Sequence, residues 1–273
     1  MSIKIGHFFH RKVADNFYLV SCPEWETEKA PVVSWMVIGD EKAVLIDAGL
    51  PVRGLRKYAE KLAGKPVELL LTHGHYDHAG ALDEFDEFWI HPADEILLHG
   101  NEETPATAYH GILHPLYSGD VVNLGKRRLY VYGAEGHTKG SLLFYDEQSR
   151  ILISGDSIGR RFYCPNVHEL PMSKFFDDLL KLESLGFQQI ASAHDFFLLP
   201  KEQINYLITT ICTKLENANE LWNNGIQDML VVHAGDGPRD LKYVSYSIPL
   251  KYKAEVLKDI QMWKERTNWR DNT

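Results

Sequence analysis

The stretch Thr72-His73-Gly74-His75-Tyr76-Asp77-His78-Ala79-Gly80 places three imidazoles and one carboxylate within a few residues, directly behind the apolar run 67–71. At this chain's histidine and aspartate frequencies such a pattern arises by chance in roughly two of a thousand sequences of this length. A polar loop that happens to be histidine-rich is the bland alternative, and a metal site is the reading that gives the spacing a reason. Imidazole nitrogens and carboxylate oxygens are ligands that zinc, iron and manganese share. His73 and His75 can point to the same side of a loop at a strand end, and Asp77 and His78 follow one turn later. Four ligands on so short a loop do not readily surround one ion. They can be divided between two ions side by side, each completed by residues from elsewhere in the chain.

The surrounding pattern places this loop at the edge of a sheet. Residues 16–20 and 32–38 are rich in β-branched and aromatic side chains and are bounded by Pro23, Pro31 and Gly39, so they are predicted strands. Residues 43–46 form another and run into Asp47-Ala48-Gly49. A carboxylate at the end of a buried strand needs a cation or a hydrogen-bond donor beside it; Asp47 is therefore a turn residue or a partner standing behind a metal ligand. Residues 53–63 have helical periodicity and stop at Gly64-Lys65-Pro66, and 67–71 return as a strand. Strand, helix and strand make a βαβ unit, with the histidine loop at the carboxyl ends of its strands.

Further along, a helix is expected to start at about residue 79, a strand at 88–91 and a short helix at 92–98. Residues 99–119 have no steady period and are read as an irregular insertion, long enough to suspect a role at the site. Strands at 121–124, 128–132, 141–145 and 151–153 suggest an antiparallel meander, followed by a helix at 173–185 and a strand at 187–193. This first domain runs to about residue 200. The remainder, 201–273, is expected to be a mainly helical extension packed on it, with helices at 201–223 and 249–269. Between them lie the strand-like run 229–232 and Gly235-Asp236-Gly237-Pro238. The intervening region covers the site mouth, pairs with a second subunit or completes the core, and the aromatic tail with Trp263 and Trp269 makes a homodimer one expectation.

Five features recur in one order: Asp47 in Ile-Asp-Ala-Gly, the run His73-x-His75-x-Asp77-His78, His137 in Gly-His-Thr, Asp156 in Ser-Gly-Asp-Ser, and His194 after a strand. Over roughly residues 13 to 198 this resembles the metallo-β-lactamase superfamily. The resemblance implies an α/β fold, the αββα sandwich, here with a helical C-terminal extension and with the site at one edge between the sheets. It implies two divalent ions, zinc foremost with iron or manganese as alternatives. His73, His75 and His137 would hold one, Asp77, His78 and His194 the other, and Asp156 would bridge them, with Asp47 behind. His194 stands in Ala-His-Asp rather than the Gly-His more usual for the family. Oxidoreductases of the flavodiiron branch typically carry Glu where this chain has His75, which disfavours redox chemistry. The chemistry implied is hydrolysis by a hydroxide bridging two ions about 3.5–4 Å apart, with Asp77 orienting it or accepting its proton.

The motifs do not choose the substrate. Arg160, Arg161, Phe162, Tyr163 and His168 follow Asp156 closely and, with Tyr109, His110 and His114, are candidate substrate contacts; surface charge and aromatic packing are the alternative for each. A formal charge of -9 leaves no basic excess for a phosphate backbone, so a nucleic-acid polymer is not an expected partner. Cys22, Cys164 and Cys212 lack CxxC spacing and make neither a disulfide framework nor a zinc ribbon. The first residues carry no leader-like apolar segment, and no run approaches the roughly 20 apolar residues of a membrane span. A cytoplasmic enzyme acting on a small molecule, without a membrane partner, is expected. The favoured substrate is a small ester, thioester or lactone. Glyoxalase II-like and lactonase-like branches both remain open, and the glutathione-binding basic pattern of the former is not visible in the tail. Nothing suggests the export that a β-lactamase needs. The alternatives are a phosphodiesterase for small phosphodiesters, or a metal-bearing ligand-binding or signalling protein with little turnover.

Overall fold

Side-chain alternation along the early strands sorts residues into two separate cores. In the strand Ser34–Ile38, Trp35 and Val37 point to one face and Met36 and Ile38 to the other, and all four are buried. In Ala43–Ile46, Val44 and Ile46 join the first core, and Ala43 and Leu45 the second. Strands covered on both faces belong in the middle of a layered α/β fold. The computed structural model, which describes residues 4–26, 31–100, 105–235 and 243–269, shows those layers.

The first sheet has seven strands in the order Phe9–Ala14, Phe17–Ser21, Ser34–Ile38, Ala43–Ile46, Val67–Leu70, Glu87–Ile90 and Ile112–Pro115. Its first four strands pair antiparallel and its last four run parallel. Helix α1 (Leu55–Ala63) crosses between two parallel strands, and with α2 (Tyr76–Ala79) and α3 (Glu95–Leu98) covers the outer face. The second sheet has six strands in the order Val121–Asn123, Arg128–Gly133, Leu142–Asp146, Ile151–Gly155, Gln189–Ser192 and Leu199–Pro200. Between the sheets Trp35, Val44, Ile46 and Leu70 meet Leu142, Phe144, Ile153 and Ala191. Helices α4 (Met172–Leu182), α5 (Gln203–Lys214) and α6 (Lys253–Thr267) cover the far side of the second sheet. This is the expected αββα sandwich.

The structure departs from the sequence expectation in three places. Residues 112–115, within the stretch read as irregular, form the edge strand of the first sheet, parallel to Glu87–Ile90; residues 101–104 lie outside the described residues. Helix α5 ends at Lys214, well short of residue 223, and Glu220–Asn223 is a strand. Asn217 and Asn219 interrupt the helical pattern, and Asn224-Gly225 supplies a hairpin turn to the strand Asp228–Ala234. With Val244–Pro249 and Arg161–Tyr163 these strands build a third sheet, in the order Arg161–Tyr163, Val244–Pro249, Asp228–Ala234, Glu220–Asn223. The extension thus carries helices α5 and α6 and, between them, a sheet that reaches back to the first domain. Asp236, Gly237 and Pro238 lie outside the described residues.

Trp263 is buried inside its own chain rather than offered to a second copy. Its ring meets Phe176 at 5.0 Å, and Nε1 donates to Asp177 Oδ1 at 2.9 Å. Among the described residues no helix is long and apolar enough to cross a membrane.

Candidate metal centre

Every expected ligand sits where a strand ends. Val67–Leu70 runs out into Thr72, His73, Gly74 and His75, and helix α2 begins at once, carrying Asp77 and His78 on its single turn. His137 lies in the loop between Arg128–Gly133 and Leu142–Asp146, Asp156 follows Ile151–Gly155, and His194 follows Gln189–Ser192. The two sheets therefore deliver these residues to one shared edge. Close approach there has a sequence signature at Gly155, which has φ +52° and whose absent Cβ would fall 2.5 Å from Thr72 Oγ1.

The side chains converge in two groups. His73 Nε2, His75 Nδ1 and His137 Nε2 form a triangle with sides of 3.0, 2.9 and 3.2 Å. Three neutral imidazole lone pairs facing one another repel, whereas around a cation with metal–nitrogen bonds of about 2.0–2.1 Å tetrahedral ligands stand roughly 3.3 Å apart. The second group is Asp77, His78 and His194, with Asp77 3.8 Å from His78 Nε2 and 3.6 Å from His194 Nε2. Asp156 touches both: Oδ2 is 3.5 Å from His137 Nε2 and 3.2 Å from His194 Nε2, and Oδ1 is 3.2 Å from His78 Nε2.

The outer nitrogens of four imidazoles are already engaged, which assigns their tautomers. His78 Nδ1 donates to Asp47 Oδ2 at 2.9 Å, His137 Nδ1 to the Tyr163 carbonyl at 2.5 Å, and His194 Nδ1 to the Pro31 carbonyl at 2.8 Å. His73 Nδ1 donates to Thr72 Oγ1 at 3.0 Å, and that hydroxyl in turn donates to Asp47 Oδ2 at 2.9 Å. In the neutral ring each bond leaves Nε2 unprotonated and aimed at the centre, as orienting partners of metal-binding histidines do. The fit to a cation is also visible as a deficit: His78 Nε2 and Asp156 Oδ1 are buried and have no hydrogen-bond partner. Buried polar atoms are rarely left so.

The two groups differ electrostatically. Burial and the neighbouring imidazoles hold His73 well below its usual range and His75 down to about 3. At His78 and His194 burial acts in the same direction, but Asp156 and Asp77 outweigh it, with Asp47 adding to the effect at His78. His78 is raised well above the usual value and His194 to about 9. Burial would raise Asp156, yet His194 and His78 hold it well below the carboxylate range. The carboxylate-bearing half demands positive charge, which is what a divalent ion supplies.

A residue that the sequence reading missed holds the two ligand loops together. Asp94, at the start of α3, is fully buried and accepts from Gly140 N at 2.7 Å, Thr138 Oγ1 at 2.6 Å and Gly74 N at 3.3 Å. It thereby joins the His73–His75 loop to the His137 loop. A Cβ on Gly140 would fall 2.6 Å from Asp94 Oδ1, so only glycine admits this carboxylate. The available signal was its place just after the strand Glu87–Ile90, at the same edge as the histidine loop.

The candidate substrate contacts divide. Tyr163 is close to the centre, its ring 6.5 Å from that of His137. Arg160 is largely buried, with Nε on Asp195 Oδ1 at 2.6 Å and its guanidinium over Phe197 at 4.6 Å, so it braces the residue after His194. Phe162 is core, stacked on Phe175 at 4.7 Å, whereas Arg161 is exposed on the adjoining face. His168 stacks on Tyr252 at 4.6 Å and pairs with Glu169. His110 is exposed and precedes a strand parallel to Val67–Leu70, which places it at the opposite end of the sheet from His73. Tyr109 packs on Phe88 at 5.2 Å, and His114 stacks on Trp89 at 4.7 Å. None of the contacts of His168, Tyr109 or His114 is with the histidine cluster.

With this geometry in hand, comparison with known proteins decides the family. A model of the metallo-beta-lactamase superfamily matches residues 28–170, more than half of the chain. The chain belongs to the metallo-β-lactamase superfamily. It is similar to a superfamily protein named acyl-coenzyme A thioesterase MBLAC2 from Homo sapiens, 30% identical over 186 residues, covering 55% of this chain and 66% of that protein. It is also 33% identical over 129 residues to a hydroxyacylglutathione hydrolase of Vibrio cholerae, covering 47% of each. The chain thus spans just under two thirds, or about half, of these curated relatives. A superfamily structure from Pontibacter korlensis aligns with a TM-score of 0.60 at 18% identity, over 73% of this chain and 96% of that one, which bears on the fold alone.

Proposed function

We propose that this chain is a metal-dependent hydrolase of small thioesters that works with two divalent cations. The observation that carries the reading is the position of Asp156, whose Oδ2 lies between His137 of one cluster and His194 of the other and whose Oδ1 faces the partnerless Nε2 of His78. His73, His75 and His137 would hold one cation and Asp77, His78 and His194 the other, with Asp156 between them; zinc suits the donor set, as do iron and manganese. Such a pair supplies Lewis acidity and lowers the pKa of water. Asp77 lies at the half-exposed lip of the site. Burial would raise its pKa, but His78 and His194 outweigh it and keep the carboxylate ionised, so one of its oxygens can accept a proton from an attacking water. The thioester class rests on the two relatives, whose names are those of thioester hydrolases.

The test is to reconstitute the protein separately with zinc, manganese and iron, measure metal per chain, and assay a panel of thioesters, lactones and bis-p-nitrophenyl phosphate. The expected result is two metals per chain, with thioesters cleaved fastest. His75→Ala is expected to lose more than the roughly 10–100-fold typical of residues behind the ligands. One metal per chain, or unchanged turnover in His75→Ala, contradicts the dinuclear site; faster cleavage of lactone or phosphodiester contradicts the substrate class.

A further inference from the structure

The third sheet has an outward face that is not a solvated polar face. Cross-strand register places Phe162, Tyr246, Val232 and Leu230 side by side on its inner face, all buried in the core. The alternate residues Tyr163, Ser247 and Val231 lie on the outer face and are half-buried, and Trp222, two residues beyond the partner of Val231, shares that side. Tyr163 and Trp222 sit on opposite edge strands, three strand spacings or about 14 Å apart at the backbone. Their rings nevertheless lean together to 6.2 Å.

This aromatic pair is continuous with the candidate metal centre. Tyr163 caps His137 through its carbonyl, and its hydroxyl accepts from Asn224 Nδ2 at 2.8 Å. Asn224 Oδ1 accepts from Ile226 N and Gln227 N, so the hairpin tip is fixed and tied to the residue beside His137. Trp222 is 37% exposed and Ile226, in the hairpin turn, 44%; Leu221 alternates with Trp222 and lies on the opposite face, across from Leu230. Exposed apolar surface on Trp222 and Ile226, beside the Tyr163 ring, suits an apolar ligand.

We propose that Tyr163, Trp222 and the hairpin 220–227 form an apolar ledge that binds the acyl chain of the substrate, which makes the preferred substrates medium- or long-chain acyl thioesters. The ledge begins at Tyr163, whose ring stands 6.5 Å from that of His137, within reach of an acyl chain whose carbonyl lies at the metal centre. The proposal rests on the thioester reading for the identity of the reacting group, but not for the chemistry of the ledge. Each methylene laid on such a surface is worth roughly a fourfold gain when fully withdrawn from water.

The experiment compares acetyl, hexanoyl and decanoyl thioesters of N-acetylcysteamine with the metal-loaded protein and its Trp222→Ala and Trp222→Phe variants. Met262→Ala, an exposed apolar residue of α6, serves as control. Decanoate binding is measured in parallel by calorimetry, and oligomeric state by sedimentation. The wild type is expected to gain in kcat/KM with chain length. Trp222→Ala should lose about tenfold on the decanoyl thioester and under about twofold on the acetyl thioester, corresponding to roughly two methylenes of contact. Trp222→Phe should retain most of the preference, and Met262→Ala all of it. Equal losses at every chain length, no loss, or a loss that tracks dissociation of a dimer would overturn the ledge. Thioesters cleaved without chain-length preference would leave the hydrolase reading standing and remove the ledge. Inert thioesters with decanoate bound by the wild type and not by Trp222→Ala would do the reverse.

Discussion

His78 is held between two carboxylates: Nδ1 donates to Asp47 Oδ2 at 2.9 Å, and Nε2 lies 3.2 Å from Asp156 Oδ1. The first contact fixes which nitrogen faces the centre. Asp47 itself sits at φ +68°, a conformation that asparagine tolerates and alanine does not. Asp47→Asn should therefore keep the backbone and lose the charge behind His78. Metal affinity of the half built from Asp77, His78 and His194, which Asp47 meets directly, is expected to fall roughly 10–100-fold, and that of the His73, His75 and His137 half, which Asp47 reaches only through Thr72, by less. A competitive chelator titration checks this: one equivalent should leave early and the other nearer its wild-type position.

Asp94 bears on the histidine trio in the same way from the other side. Replacement by alanine leaves two backbone N–H groups buried without an acceptor, each costing about 1–3 kcal/mol, and leaves the Thr138 hydroxyl only Ser141 Oγ. Urea unfolding of chelator-treated protein should show Asp94→Ala less stable by about 3 kcal/mol or more. Asp94→Asn retains one acceptor and should fall between it and the wild type. Equal stability of all three proteins would mean that the clamp contributes nothing.

These two carboxylates also mark how far the sequence could be read. Asp47, Asp77 and Asp156 stand in short motifs beside apolar runs, so residue type and local spacing pointed at them, and the strands behind them deliver them to one edge. Asp94 stands in an ordinary helix start, and its partners are Gly74, Thr138 and Gly140, distant in sequence. The caps on His137 and His194 are backbone carbonyls of Tyr163 and Pro31, which any residue could supply and no composition reveals. The third sheet was half legible: the valine run at 229–232 marked a strand, but its pairing with Val244–Pro249 and onward to Arg161–Tyr163 is non-local. At 201–223 helical periodicity carried past Lys214 because Leu221 and Trp222 fit a helix pattern as well as a hairpin's.

A second buried charge network joins the layers away from the site. Arg127 pairs with Asp146 through both carboxylate oxygens, and its remaining nitrogen donates to the carbonyls of Asp15 at 2.9 Å and Asn16 at 3.3 Å. The side chains are 3% and 0% exposed, so neither charge has water to fall back on. Asp146→Ala is expected to cost about 3–5 kcal/mol, because the guanidinium remains buried and uncompensated. The double variant Arg127→Met/Asp146→Leu should recover much of that loss, since both charges are then gone. Thermal and urea melts of the two variants decide it, and an Asp146→Ala protein as stable as the wild type would contradict the coupling.

The cysteines give a prediction with a defined pH sign. Cys22 and Cys164 are buried, and Cys164 Sγ donates to the Gly136 carbonyl at 2.8 Å. Burial pushes the Cys22 thiol up to about 12, with Glu24 adding to the shift, and burial alone raises Cys164. At about pH 8 the thiolate of Cys22 is then on the order of one molecule in ten thousand, against roughly a quarter for a free thiol of pKa about 8.5. A raised folded-state value means that the neutral thiol is favoured by the fold. The associated stability is complete below the unfolded value of about 8.5 and is lost as pH rises from there toward about 12. Ellman's reagent at about pH 8 should titrate native protein at no more than the half-buried Cys212. All three thiols should react in denaturant, and urea midpoints should decline above about pH 9 by less in Cys22→Ala than in the wild type, after correction to each protein's neutral-pH midpoint. Rapid labelling of Cys22 in the native protein at neutral pH would show that its pocket opens.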